Sequence, residues 1–204
     1  MSFSKHNKVV NLGEIAKSIK YGTSEDLDYT ESGIPFLRVT DILPDDTVNT
    51  DDMKFIAMHH KDSVKNYKVK KGDILISRTG TIGSALFISD KFDGSIYGSY
   101  FIKIELKKEW AGIEIDPLYV ATFLNGSLGR LQSERLRSGG VQQNITIPSI
   151  QSIKIVLPLI EVQRKISNIV TKSRELKEEA KKLYYKAKKE IEEFIERDSN
   201  HNRH

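Results

Sequence analysis

The sequence predicts an α+β fold: a globular body with a mixed, partly barrel-like sheet, followed by one long C-terminal coiled-coil helix. Short strand and helix signals alternate irregularly through the body, which favours α+β over a doubly wound parallel sheet. All 13 glycines and all 5 prolines precede Glu161, and the apolar residues after it repeat at heptad spacing. We therefore divide the chain into a body, 1–157, a long dimerisation helix, 158–197, and a disordered tail, 198–204.

In the body, strands are predicted where β-branched and aromatic residues cluster between turn residues. These runs are 34–42, 73–78, 84–89, 100–106 and 153–157. Helical signals predict four helices, which are 12–19, 60–66, 116–125 and 128–137. The third helix has the clearest start, because Asp116 can cap its first turn and Pro117 suits the first helical position.

The long helix shows the clearest periodicity in the chain. Its apolar residues repeat at steps of four and three, with one polar member and one stutter. We call them the apolar seam: Val162, Ile166, Ile169, Ser173, Leu176, Ala180, Leu183, Ala187, Ile191 and Phe194. A helix of this length spans roughly 55 Å, whereas the body is about 35 Å across, so we expect the seam to pair with a second copy. The alternative is a solvated amphipathic helix that folds partly on its own body.

Composition excludes several classes of protein. Because the chain has no Cys, a disulfide framework, a thiolate zinc site and a thiol nucleophile are ruled out. We find no basic-then-apolar leader and no run of about 20 apolar residues, so we expect a cytoplasmic protein without a membrane span. The 32 Lys and Arg exceed the 28 Asp and Glu, which fits a polyanionic partner. Histidines without metal-ligand spacing, which we expect to be solvated, are His6, His59, His60, His201 and His204.

Signatures of enzymes are almost absent. The phosphate-binding loop, the lipase nucleophile elbow, the dinucleotide fingerprint and the N-P-P-aromatic loop of amino-methyltransferases do not occur. One nuclease-like pattern is present, Pro44-Asp45 followed much later by Glu105-Leu106-Lys107. Two carboxylates and a lysine could hold Mg²⁺ and activate water, so a small Mg²⁺-dependent nuclease using Asp45, Glu105 and Lys107 is an alternative function. The same residues also fit a solvated strand end.

Three segments of the body combine glycine, hydroxyl or amide groups, and cations: 20–23, 77–83 and 135–144. Glycine allows the backbone to approach a ligand closely. Arginine binds phosphate or guanine, and the amides of Gln and Asn can bind adenine. Each segment alone also fits a structural turn with a solvated cation. Three such segments without a catalytic set favour nucleic-acid binding, and a coiled-coil adaptor that binds only protein is a further alternative.

Several stretches share an order and spacing that are specific when taken together. They are LGEI at 12–15; GIPFLR at 33–38 with Asp41-Ile42; KGDILI at 71–76, followed by Arg78-Thr79-Gly80 and Gly83; Gly140 with Asn144-Ile145; and LPLIEVQRKI at 157–166. In this order they resemble the specificity subunits of type I restriction-modification systems. In the last stretch Leu159 replaces a usual second proline and Val162 a usual polar residue, and both fit the start of a helix. Such subunits usually have two recognition domains, each followed by a helix, and this chain resembles one half.

The resemblance implies a non-catalytic subunit that recognises double-stranded DNA and has no cofactor of its own. It implies a modification subunit that methylates adenine with S-adenosylmethionine, and a restriction subunit, a motor-nuclease, that uses ATP and Mg²⁺. The chain is then expected to form a homodimer through its helix. Each copy would recognise a half-site of a bipartite target.

The resemblance also orders the candidate DNA contacts. Residues shared across the family cannot distinguish one DNA sequence from another, so Gly72, Asp73 and Gly80 are expected to be framework. Arg38 and Arg78 are expected to touch phosphate or support a loop. The full set of candidate contacts is Lys20, Tyr21, Thr23, Arg38, Arg78, Thr79, Thr81, Tyr97, Ser99, Arg135, Arg137, Gln142, Gln143 and Asn144.

Overall fold

A computed structural model describes residues 7–137 and 143–201, with side chains as far as Ile195. The strands are β1 (Lys8–Asn11), β2 (Ala16–Tyr21), β3 (Tyr29–Thr30), β4 (Ile34–Leu37), β5 (Lys54–Ile56), β6 (Ile74–Ser77), β7 (Ala85–Phe87), β8 (Ile96–Tyr97), β9 (Phe101–Leu106), β10 (Glu109–Trp110), β11 (Ile113–Glu114) and β12 (Lys154–Leu157). The α-helices are α1 (Leu12–Ile15), α2 (Pro117–Asn125), α3 (Ser127–Arg135), α4 (Ile147–Gln151) and α5 (Ile160–His201). The chain forms two compact units, one ending at Arg164 and the other beginning at Lys165.

The body contains two four-stranded sheets rather than a closed barrel. One sheet has the order β2-β9-β6-β7 and is antiparallel, and the other has the order β3-β5-β4-β8, in which β4 and β8 are parallel. Two ribbons, β1-β12 and β10-β11, complete the strands of the described residues. A barrel needs every strand to be paired on both sides, and β2, β7, β3 and β8 each end a sheet. The predicted mixed sheet is therefore present as two open sheets, and they do not close into a barrel.

The main hydrophobic core draws residues from both sheets. Leu37 of β4, Leu75 of β6, Tyr97 of β8 and Phe101 of β9 are buried in one cluster. All four residues of β6 are buried, because this strand lies inside its sheet with neighbours on both sides. The burial of these large side chains fixes the positions of the turns that follow β6 and β8.

Elements with a local start signal form where the sequence predicts them. Asp116 Oδ1 accepts hydrogen bonds from the backbone N–H groups of Leu118 (2.9 Å) and Tyr119 (3.2 Å), so α2 begins with the expected cap. The following helix, α3, begins one residue earlier than expected and ends at Arg135. A short helix that the sequence analysis missed, α4, has its own signal, because the Thr146 side chain caps Ser149 and a proline lies in the first turn.

Elements that depend on distant partners differ from the prediction. The predicted helix 12–19 is one helical turn, α1, followed by β2, because residues 16–21 pair with β9. The predicted strand 34–42 stops at Leu37, and the side chain of Asp41 then holds a 3₁₀ turn at Val39–Asp41. The predicted helix 60–66 is two separate 3₁₀ turns, Met58–Lys61 and Lys65–Tyr67.

Gln163, in the first turn of α5, is fully buried in the body and fixes the start of the long helix there. Its amide nitrogen donates to the carbonyl oxygens of Pro158 (2.8 Å) and Glu114 (2.9 Å), and its amide oxygen accepts from the N–H of Asp116 (2.9 Å). One neutral side chain thus satisfies three backbone groups. The first turn of α5 is therefore held by the body, and the compact unit that contains it ends at Arg164.

The second unit is the remainder of α5. The helix continues to His201, so Asp198–His201 of the expected disordered tail are helical, and residues 202–204 lie outside the described residues. Most seam residues from Ile169 to Phe194 are at least half exposed in the single chain, with Ile169 at 63% and Phe194 at 67%. Ile169, Ser173, Leu176 and Ala180 line a common groove on one face of the helix. Among the described residues, none of the helices is both long and apolar enough to cross a membrane.

Candidate nucleic-acid interface

Two of the three segments singled out in the sequence, 20–23 and 77–83, meet at Arg78, and the third, 135–144, ends one residue before Ile145, which bonds the Arg78 backbone. The Arg78 guanidinium carbon lies 4.7 Å from the centre of the Tyr21 ring. The Arg78 backbone bonds two further residues: its N–H donates to Tyr100 O (2.9 Å), and its carbonyl oxygen accepts from Ile145 N (3.3 Å). We call this region the recognition surface, and its members are residues 20–23, 78–81, 97–100, 135–137 and 143–145.

Arg78 and Tyr21 form the centre of this surface. The ring of Tyr21 lies within cation–π distance of the guanidinium, and the Tyr21 hydroxyl accepts from Ile147 N (3.3 Å) at the start of α4. Arg78 Nη1 makes only a marginal contact with Ser99 O (3.5 Å). The planar group is thereby positioned against an aromatic ring, and among the described residues it forms no ion pair with a carboxylate. An arginine held in this way suits phosphate or a base edge.

Two loops cross at Gly22, beside Tyr21, at a distance that only glycine permits. A Cβ on Gly22 would lie 2.1 Å from Gly98 O, so any other residue would force the loops apart. Thr23 continues the crossing with a hydrogen bond from its N–H to Tyr97 O (3.2 Å). The crossing brings residues 20–23 and 97–100 into one surface.

Two candidate contacts are wrong because their side chains are buried. Tyr97 is 0% exposed, packs in the main core, and reaches the backbone oxygen of Tyr21 with its hydroxyl (3.4 Å). Burial raises the pKa of Tyr97, so the phenol stays neutral. Thr23 is 3% exposed, and its hydroxyl accepts from Glu25 N (3.1 Å). Both residues hold the loop crossing and do not present a side chain to a ligand.

The turn after β6 presents Thr79 and Thr81. Ser77 Oγ donates to Thr79 O (2.6 Å), and Gly83 N donates back to Ser77 O (2.9 Å), which closes the turn. Gly80 has φ +66°, a left-handed conformation that favours glycine. Thr81 is exposed and Thr79 is half-buried. The turn is rigid where it leaves the sheet and accessible at its tip.

The third segment carries two arginines and the amides. Arg135 is exposed at the end of α3. Arg137 donates to Glu134 Oε1 (2.6 Å) and to Gln143 Oε1 (3.2 Å), which links α3 to the segment after residue 142. Gln143 is exposed and Asn144 is half-buried, whereas Gln142 lies outside the described residues.

Arg38 supports a loop through its contacts with two carboxylate residues. It holds the carboxylate of Asp41, with the shortest contact from Nη2 to Oδ1 at 2.6 Å, and donates to Asp52 O at 2.9 Å. These carboxylates raise the pKa of Arg38, chiefly through the hydrogen bond to Asp41. The pKa of Asp52 is lowered, first by Lys54 and then by Arg38. These contacts account for loop support, and phosphate contact by Arg38 stays a prediction.

The residues expected to be framework have structural contacts. Gly72 has φ +89°, and the buried Asp73 accepts from Lys70 N (2.8 Å) in the turn before β6. Burial raises the pKa of Asp73, and the nearby Lys103 ammonium (3.4 Å) opposes that shift. This turn fixes the direction in which β6 leads to the recognition surface.

The residues proposed for a nuclease are also held in local contacts. Glu105 Oε1 accepts from Lys17 Nζ (2.6 Å), and this contact lowers the pKa of Glu105. Lys107 Nζ donates to Glu14 O (2.7 Å), and Asp45 accepts from the backbone and hydroxyl of Thr47. The carboxylates of Asp45 and Glu105 therefore bind to different neighbours, Thr47 and Lys17.

The structure also brings together a set that the sequence analysis missed. Asp28, His59 and His60 place their ligand atoms within 4.8 Å of one another. Their sequence spacing gives no signal, because Asp28 reaches the two histidines only through the pairing of β3 with β5.

Comparison with solved structures identifies the same fold. A type I restriction-modification chain, from a study of complex assembly and conformational transition, matches with a TM-score of 0.58 and 18% identity over 86% of this chain and 40% of its own. The S subunit from M. genitalium matches with a TM-score of 0.60 and 15% identity, over 86% of this chain and 41% of its own. The HsdS subunit from Thermoanaerobacter tengcongensis matches with a TM-score of 0.55 and 16% identity, over 86% of this chain and 39% of its own. The chain thus spans about two fifths of the length of these proteins.

A family described as "Type I restriction modification DNA specificity domain" matches residues 4–193. Specificity subunits of these systems recognise DNA and have no catalytic activity of their own, so the nuclease alternative is wrong. The family description concerns DNA specificity, which favours DNA recognition over an adaptor that binds only protein. Because the match covers nearly the whole chain, and the fold is that of the S subunits, the chain belongs to the DNA specificity domain family of type I restriction-modification systems.

Proposed function

We propose that this chain recognises one half-site of a bipartite double-stranded DNA target through the recognition surface, and acts as a homodimer joined by α5. The observation that carries the proposal is the contact of Arg78 with Tyr21 of the first segment, together with the backbone hydrogen bond from Ile145, the residue after the third segment, to Arg78 O. Each segment alone fits an ordinary turn, whereas their occurrence together on a domain of a DNA specificity family supports one cationic recognition surface. Without the buried Thr23 and Tyr97, the candidate contacts are Lys20, Tyr21, Arg38, Arg78, Thr79, Thr81, Ser99, Arg135, Arg137, Gln142, Gln143 and Asn144.

The charge distribution supports a local interaction rather than attraction by the whole body. Before Glu161 the chain has 20 Lys and Arg against 19 Asp and Glu, so the body is nearly neutral. The recognition surface nevertheless carries Lys20, Arg78, Arg135 and Arg137. DNA affinity therefore depends on a few cations at defined positions, and salt weakens it by about 0.9 in log–log slope for each phosphate contacted.

The exposed seam supports the homodimer. Ile169, Leu176, Leu183 and Ile191 are each more than half exposed in the single chain, and their heptad spacing suits the seam of a coiled coil. A polar helix surface with one continuous apolar stripe gains stability only when a partner helix covers that stripe. A second copy offers the same stripe in the same register.

The homodimer would position two further subunits. A modification subunit would methylate adenine with S-adenosylmethionine, and a restriction subunit would use ATP and Mg²⁺. The chain itself needs no cofactor for its proposed role, which is to bind DNA and hold its partners. The solved chain whose description concerns assembly of the type I system supports a role within such a complex.

Substitution of Arg78 tests the recognition surface. Arg78→Ala should weaken binding to all duplexes alike and lower the salt slope by about 0.9, because the guanidinium is expected to contact phosphate. The measurement is fluorescence anisotropy of labelled duplexes with EDTA present, across a salt series. Lys65→Ala, which removes an exposed cation outside the surface, is the control and should change neither quantity. Equal DNA affinity of wild type and Arg78→Ala would refute the proposed surface. A relaxed preference at a single base pair would show that Arg78 contacts a base and not a phosphate.

A further inference from the structure

A cluster of two imidazoles and one carboxylate lies on the body, in contacts separate from those of the recognition surface. Asp28 Oδ2 lies 3.4 Å from His59 Nε2 and 3.4 Å from His60 Nε2. The two imidazole rings are neighbours, with centroids 4.1 Å apart. We call Asp28, His59 and His60 the histidine cluster.

The backbone holds the histidine cluster in place. Beside the pairing of β3 with β5, Ala57 N donates to Asp28 O (3.1 Å), which places Asp28 opposite the start of the 3₁₀ turn Met58–Lys61. Within that turn His60 N donates to Ala57 O (3.1 Å), and His60 O accepts from Val64 N (3.1 Å). The His60 side chain is only 19% exposed. The ligand atoms are therefore brought together by the sheet and not by the chance meeting of long surface side chains.

The separations fit a shared cation better than direct hydrogen bonds. A distance of 3.4 Å is long for an N–H···O hydrogen bond, whose usual range is about 2.7–3.2 Å. In a tetrahedral zinc site with bonds of about 2.0–2.1 Å, neighbouring ligand atoms lie roughly 3.4 Å apart. Asp28 Oδ2 has this separation from each imidazole nitrogen. His60 Nε2 also lies 3.4 Å from Asp28 N, a weak contact that a metal bond would replace.

We propose that Asp28, His59 and His60 form a zinc site that stabilises the body. Two imidazoles and a carboxylate supply three ligands, and the exposed side of the cluster leaves the fourth position to water. Imidazole nitrogen favours Zn²⁺ and similar transition metals over Mg²⁺ and Ca²⁺, which prefer oxygen ligands. The metal would join the turn after β5 to the segment before the two-residue edge strand β3, and so keep that strand on its sheet.

Zinc titration of the full chain, without an affinity tag, tests this proposal. The background carries His6→Gln, His201→Gln and His204→Gln, so that only the two histidines of the cluster remain. After EDTA treatment and dialysis, calorimetry should show saturable binding of about one Zn²⁺ per chain. Free Zn²⁺ at 100 times its dissociation constant should raise the melting temperature by roughly 5–10 °C. Mg²⁺ should do neither, and Co²⁺ should give the visible absorption of a four-coordinate site.

Single substitutions then assign the ligands. Asp28→Asn and His59→Gln change exposed side chains, so each should leave the metal-free melting temperature nearly unchanged and abolish the zinc-induced rise. Asp26→Asn, which changes an exposed carboxylate two residues away, is the matched control and should retain zinc binding. No saturable binding in the background protein would overturn the proposal. Binding that survives both Asp28→Asn and His59→Gln would overturn it as well.

Discussion

At the scale of single residues, Gln163 has a specific role at the start of α5, because its side chain bonds three backbone groups there. Its amide donates to two carbonyl oxygens and accepts from one N–H, all from backbone groups at the base of α5. A carboxylate has no donor for the carbonyl groups, and an apolar residue satisfies none of the three. Gln163 is thus the residue through which the stretch at 157–166 connects the long helix to the body.

Gln163→Ala should destabilise the protein by about 2–4 kcal/mol, because it leaves buried backbone groups without partners. Gln163→Glu should be at least as harmful, since it would direct a carboxylate at two carbonyl oxygens. Urea unfolding followed by circular dichroism measures both. Glu161→Ala, an exposed change in the same turn, is the control and should stay within about 0.5 kcal/mol of wild type. A Gln163→Ala protein as stable as this control would contradict the role given to the amide.

The residue scale also marks a limit of sequence reasoning. Arg78 and Tyr21 belong to two segments that were singled out by composition, and the structure brings those two segments together. Thr23 and Tyr97 have equally suitable chemistry but are buried by the loop crossing at Gly22. Burial depends on contacts between distant segments, so residue type alone could not separate these two groups.

At the scale of elements, local signals were sufficient where an element depends on its own residues. The cap at Asp116 and the heptad pattern both predicted helices that form. The segment 12–19 failed because its pattern fits a helix as well as a strand, and the pairing partner that decides, β9, lies far along the chain. The 3₁₀ turn at Val39–Asp41 was missed because it rests on one side chain, Asp41, which accepts from the backbone N–H and the guanidinium of Arg38.

The seam is the element on which dimer formation depends. Ile169→Asp combined with Leu176→Asp should give monomers, because each change would bury a charge between two helices at a cost of several kcal/mol. Sedimentation velocity at tens of micromolar distinguishes the two states. Thr171→Asp combined with Lys182→Asp, on the polar face of the same helix, is the control and should leave the dimer intact. A monomeric wild type, or an undisturbed dimer in the seam variant, would refute pairing through α5.

At the scale of the whole molecule, symmetry links the dimer to its target. Two identical chains related by a two-fold axis present identical recognition surfaces in opposite orientations. A homodimer must therefore recognise the same half-site twice, inverted, whereas a subunit with two different domains would recognise two different half-sites. A continuous helix makes the distance between the half-sites a fixed property of the chain.

Lengthening α5 tests that fixed distance. An insertion of seven helix-forming residues after Ala180 keeps the seam in register and adds roughly 10 Å of helix, equivalent to about three base pairs. The preferred spacer should lengthen while the half-site stays the same, as measured by competition among duplexes of graded spacer length. An insertion of five residues, which takes the seam out of register, is the control and should weaken dimer formation. An unchanged spacer in the seven-residue variant would show that α5 does not set it.

Selection of bound duplexes from a random library, with EDTA present and no other subunit, tests the central claim most directly. The selected duplexes should contain an interrupted palindrome with one fixed spacer, because two copies of one recognition surface read the two halves. Enrichment of a non-palindromic sequence would contradict the homodimer, and a pool with no enriched sequence would contradict specific recognition by this chain.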